Sequence, residues 1–142
     1  MLQSYCRRYY DNPEQLHEQI DDWWAAQRYR DLRRLHYFNE PRDIALQVLT
    51  DGVQLTTHRV KHNCTPVLLI NYNLPPAVRN QKHNIMVALV IPGPEKHNDI
   101  DSFLYPLVQE LKYLGTSGVD VFDAYQRERF ILRVYPVVVT GR

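Results

Sequence analysis

The sequence predicts an α/β protein in which a helical segment precedes three antiparallel strands, a helix and a further strand. Three observations carry that expectation. Between residues 43 and 94 the chain is a series of short runs rich in Val, Ile and Leu, separated by Pro, Asn and Gly, which is a strand-forming texture. Residues 100–115 hold one apolar stripe at helical spacing, and the region after Gly118 returns to β-prone composition. With 44% hydrophobic and 23% charged residues, the 142-residue chain has the composition of a folded domain rather than a disordered one.

Taken in order, residues 1–42 form the helical segment. Leu16, Ile20, Trp23, Trp24, Leu32 and Leu35 recur at three- and four-residue steps, which suits one or two amphipathic helices ended by Pro41. Trp23 and Trp24 read as anchors that pack this segment on a sheet. Residues 43–142 form the second unit. Its strand runs are DIALQVLTDGVQLTTH, TPVLLINYNL and NIMVALVI, and successive strands with short connections pair antiparallel. The nearly continuous LLI and MVALVI runs predict strands buried on both faces. Phe103, Leu104, Leu107, Val108, Leu111 and Leu114 form the stripe of a covering helix, with Pro106 expected near its first turn and Gly115 at its end. A brief VDVF and the run ERFILRVYPVVVTGR follow, the latter a strand with an edge or bulge at Pro136.

The formal charge of +1 removes whole-molecule attraction to polyanions, so any nucleic-acid contact must be local. Residues 43–94 carry Arg59, Lys61, Arg79 and Lys82 against Asp43 and Asp51, a balance of +2, which makes these four cations the candidate DNA-facing strip. The competing reading is an ordinary solvated surface. Apolar runs are too short to span a bilayer, no secretory leader is evident, and Cys6 and Cys64 form no closely spaced pair. The expected compartment is the nucleus or cytoplasm, with no membrane partner. Phosphate-loop, dinucleotide and Ser/His/acid signatures are absent, so no small-molecule substrate is expected.

Asp51 in VLTDGVQL has two readings. Asp-Gly between apolar runs is a strong hairpin signal, because both residues tolerate positive φ. The other reading makes Asp51 a carboxylate on a long first strand, placed to bind a hard divalent cation. His58, His62, Cys64 and His83 are a weaker set of metal-ligand candidates in loop-like sequence.

Several strings together resemble one family. QRYRDLRRLHYFNEPRDIALQVLTDGVQL, then NLPPAVR, IPGP and IDSFLYPLVQEL in this order, then GVDVFDAYQRERFILRVYPVVVTG, are similar to transposases of CACTA (En/Spm-type) DNA transposons, particularly the fungal versions. The resemblance runs from about Asp21 onward. It implies a DDE-type transposase with an RNase H-like core, DNA as partner, Mg²⁺ or Mn²⁺ as cofactor, and Asp51 as the first catalytic and metal-binding acid. Relatives follow the strand corresponding to VYPVVVTG with a second acid, where this sequence has Arg142. The resemblance therefore leads us to expect an incomplete, catalytically inactive core that could still bind DNA or a full-length transposase.

Overall fold

The structure is a computed structural model, and it describes residues 10–11, 22–50, 53–57, 60–93 and 100–141. A 3-10 turn at Trp23–Ala25 leads into helix α1 (Gln27–Arg34). Strands β1 (Ile44–Thr50), β2 (Val53–Thr57) and β3 (Val60–Asn71) follow, then the short helix α2 (Pro76–Arg79) and a 3-10 turn at Lys82–Asn84. Strand β4 (Ile85–Gly93), helix α3 (Ile100–Thr116), strands β5 (Val119–Asp123) and β6 (Glu128–Leu132), and strand β7 (Val134–Gly141) complete the order.

The main sheet is mixed. β1 and β2 both pair antiparallel with β3, β4 pairs antiparallel with the other edge of β3, and β7 runs parallel to β1. β1 and β2 meet successive stretches of β3 in one register: Thr50 lies opposite Val67 and Val53 opposite Cys64. They form one interrupted column, so the sheet has four columns in the order β4, β3, β1/β2, β7. A hairpin at Asp51-Gly52 would have paired β1 with β2. Both pair with β3 instead, and the chain reverses between the paired residues Thr57 and Val60.

Strand alternation sends neighbouring residues to two cores. Leu46 and Val48 join Val67, Ile91 and Val134 beneath α3, whose Leu104, Leu107, Leu111 and Leu114 cover that face. Ala45, Tyr135 and Val137 face the N-terminal segment, where Trp24, Tyr29 and Phe38 are buried. There the rings stack edge to face, Trp24 on Tyr29 at 5.0 Å and Phe38 on Tyr135 at 4.7 Å. Such pairs add about 0.5–1.5 kcal/mol each beyond area burial. The indole of Trp24 also donates to the Tyr72 carbonyl at 2.8 Å, so both faces of the ring system are used without an orphaned donor.

Five expectations change. The N-terminal apolar register breaks at Ala26, whose extended backbone starts α1 afresh, so Tyr29 is buried and Leu35, past the helix end, is 65% exposed. β4 is an edge strand with Met86, Val87 and Val90 exposed, because nothing among the described residues pairs with its outer side. Pro106 lies in the second turn of α3. Gly115 stays inside that helix, close to the Val134 carbonyl, and Gly118 closes it at φ 72, its amide donating to the Tyr113 carbonyl at 3.1 Å. The run ERFILRVYPVVVTG is two strands, divided at Arg133 into the β5–β6 hairpin sheet and β7. The physical cause is Asp43, whose buried carboxylate accepts the Arg133 amide at 3.1 Å while the Ile44 amide bonds the Arg133 carbonyl. The irregularity expected at Pro136 is present: the register shifts from Leu46–Pro136 to Gln47–Val138, leaving Val137 as the bulged residue.

Candidate metal and DNA-binding site

Strand β1, which ends one residue before the sequence-predicted Asp51, pairs with β7. Parallel pairing puts the C-terminal ends of both strands together, with Thr50 beside Gly141. A side chain at Gly141 would meet the Thr50 hydroxyl, which would have to turn away to admit it, while the Thr50 carbonyl stands 3.3 Å from the same point. One strand step back, a polar row crosses the sheet: the Tyr72 hydroxyl donates to Gln47 Oε1 at 3.2 Å, and Gln47 Nε2 donates to the Thr140 hydroxyl at 3.1 Å.

The start of β1 is fixed by a second polar cluster. Asn73 Nδ2 donates to the Asp43 carbonyl at 2.8 Å and its Oδ1 accepts the Ala45 amide at 2.9 Å, so one amide side chain clamps the first residues of the strand. Asp43 is 2% exposed, and burial pushes its carboxyl up to about 6, opposed by the Arg133 and Glu40 amides that donate to it. Burial raises the neighbouring Tyr135 phenol, and the Asp43 charge adds to that rise.

Of the sequence-predicted site residues, Asp51 and Arg59 lie outside the described residues, as do Gly52, His58 and Arg142. Lys61 is on β3, paired with Thr56 of β2. Lys82 is exposed in the turn before β4, as is His83. Arg79 stands apart from any surface strip. It is 5% exposed, its Nη1 donates to Asp22 at 2.8 Å with Nη2 on the second carboxylate oxygen, and its Nε donates to the Leu74 carbonyl at 2.9 Å. The guanidinium also lies over the Tyr72 ring at 4.2 Å. These bonds commit the side chain to the protein itself, so Arg79 is left out of the DNA-facing set below.

Sequence reasoning missed Arg42. Its guanidinium bonds Glu40 at 2.7 Å, Asp123 at 3.1 Å and Glu128 at 2.9 Å, and lies 3.7 Å above the Phe130 ring, which holds the β5–β6 hairpin against the loop before β1. The hydrogen bond it donates to Glu40, followed by those it donates to Asp123 and Glu128, raises its pKa against the opposing effect of burial. The signal was the carboxylates of FDAYQRE, 81 or more residues away, whose approach no spacing rule could give.

The donors for the implied Mg²⁺ or Mn²⁺ can be tested against these neighbours. Among the described residues no group of three His, Cys, Asp or Glu side chains is placed to hold a metal ion, and the described residues at the β1/β7 end are Thr50, Thr140 and Gly141. A pair of divalent ions about 4 Å apart needs several bridging carboxylates, and the sequence-predicted ligand, Asp51, lies outside the described residues. Among the described residues, no helix is long and apolar enough to cross a membrane.

The main sheet is mixed, with a parallel strand beside the first and one helix over a face, and the sequence that builds it matches a transposase family. The chain belongs to Transposase family tnp2, whose family model matches residues 19–140. A transposase family suggests interaction with DNA. Neither the curated proteins nor the solved structures give a significant match.

Proposed function

We propose that residues 43–142 are the first part of an RNase H-like, DDE-type core of a CACTA transposase of the fungal kind. The parent reaction is metal-dependent cleavage and strand transfer of transposon DNA, and its place of action is the nucleus or cytoplasm. One observation carries this reading: three antiparallel strand columns followed by a helix and a strand that returns parallel to the first, on its free side. The Thr50–Gly141 register supports the site assignment, since the residue after each is Asp51 in one strand and Arg142 in the other. In a catalytic core both would be acids. A guanidinium in the sequence position of the second acid would repel the metal rather than hold it, so this chain alone is read as inactive.

The test is nicking of supercoiled DNA carrying transposon ends in Mg²⁺ or Mn²⁺, comparing the chain with Asp51→Ala. The expected result is no nicking above the variant's background. Nicking that Asp51→Ala abolishes would overturn the inactivity and support Asp51 as the metal ligand.

A second reading is a non-catalytic module that binds DNA through Arg59, Lys61 and Lys82 or pairs with a full-length transposase. The exposed Val87, Val90 and Val139 on the outer strands β4 and β7 favour the pairing form. A salt-dependent gel shift separates the two, because phosphate contacts weaken steeply with salt and strand pairing does not.

A further inference from the structure

Between the β5–β6 hairpin and the start of β1 lies a cleft of about 530 Å³, within the size range of small-molecule sites. Its walls are apolar and aromatic: Ile44, Val121, Phe122, Phe130 and Leu132, with Tyr125 at the mouth. Phe122 is 58% and Tyr125 90% exposed, which is more aromatic surface than a hairpin needs for its own packing.

Two polar groups of the lining retain donors. Asn71 Oδ1 accepts the Asn73 amide at 2.8 Å, which fixes the orientation of that side chain and leaves its Nδ2 without a partner among the described residues. Arg42 donates through Nε and Nη1, and its Nη2 likewise meets no acceptor among the described residues. The charge of that guanidinium is already overbalanced by Glu40, Asp123 and Glu128. An anion such as a bare phosphate is therefore disfavoured in the cleft. A neutral planar ring carrying carbonyl or ring-nitrogen acceptors suits both the donors and the aromatic walls.

We propose that this cleft is a binding site for an unpaired nucleobase, taken between Phe122 and Tyr125 with its acceptor edge toward Arg42 Nη2 and Asn71 Nδ2. The exposed Arg127, next in the hairpin turn, is placed for the flanking phosphate. The hairpin thereby becomes a contact to single-stranded or distorted DNA, separate from the β1/β7 end. This inference rests on the DNA-binding reading of the family for the source of the base.

The test measures fluorescence anisotropy of the full chain with a labelled single strand of about twelve nucleotides, and with an abasic strand of equal length. The base-bearing strand should bind about tenfold more tightly, and the Phe122→Ala/Tyr125→Ala double variant, whose side chains are exposed, should erase that difference. Equal affinity for the two strands, or a preference that survives the double variant, overturns the proposal while leaving DNA binding standing. If neither strand binds, the DNA reading fails on its own. Titration with free thymidine and deoxyguanosine, read by NMR shifts at Asn71 and Arg42, then decides the cleft: shifts lost in the double variant sustain it as a nucleoside site, and no shifts overturn it.

Discussion

At the scale of single residues, the buried charges are the ones with measurable consequences. Asp43 binds a proton more tightly in the folded protein, at about 6, than at the ordinary carboxylate value of 3.8. The folded state therefore holds more protons between those values, so this group's contribution is fully present below about pH 4 and is lost as pH rises through 6. The difference amounts to about 3 kcal/mol. Urea unfolding of the wild type and of Asp43→Asn at pH 4.5 and 7 should show that the substitution removes this fall in stability. Equal pH dependence in both proteins would refute the assignment. Arg79 and Asp22 make the opposite case, a charge pair that folding has fully enclosed. Removing one partner strands the other, so Asp22→Ala should cost about 3–5 kcal/mol in the same assay, and a cost near zero would show that the pair is open to water. Arg79 was legible as a cation but not as a buried one, because the carboxylate that encloses it is 57 residues away.

At the scale of elements, local signals told the truth about which segments are strands and which are helices, and were silent about partners. The apolar runs of β1, β3 and β4 were readable as strands from their Val, Ile and Leu content between turn residues, and α3 from the helical spacing of its stripe. The β5–β6 hairpin was not, since its turn uses neither Gly nor Asn at the critical position. Asp123 Oδ1 accepts the Tyr125 amide at 2.9 Å and the Gln126 amide at 3.0 Å, and Arg127 takes φ 56. Those amides, with Arg42 behind them, hold the Asp123 carboxyl below its usual range despite some desolvation. The end of α3 is similarly a matter of three residues. Gly118 combines positive φ with a space in which a Cβ would meet the Leu132 carbonyl at 2.8 Å. Gly118→Ala should lower stability by about 1–3 kcal/mol, whereas Gly115→Ala, where φ is helical and the nearest atom is 3.3 Å away, should cost less. Thermal denaturation of the two variants checks the order, and a reversal would place the helix end at Gly115 after all.

At the scale of the whole molecule, the parallel return of β7 to β1 defines the architecture, and the expected order of strands, helix and further strand carried no information on that direction. The sheet that results has outer strands β4 and β7 with exposed Val87, Val90 and Val139 and no described neighbour beyond them. Such edges invite pairing between copies, so the weight-average mass measured by light scattering should rise with protein concentration, and Val87→Lys/Val139→Lys should suppress that rise. Scattering unchanged by the two lysines would mean that association, if any, uses other surfaces. The bulge at Val137 has a further consequence. Before it, residues of β1 and β7 match at one offset, and after it at an offset one residue larger. The bulge is slack in the strand: without Val137, Pro136 and Val138 would be direct neighbours and the pairs Leu46–Pro136 and Gln47–Val138 would follow one another at a single offset, so loss of that one residue would straighten β7 and still leave Thr50 level with Gly141.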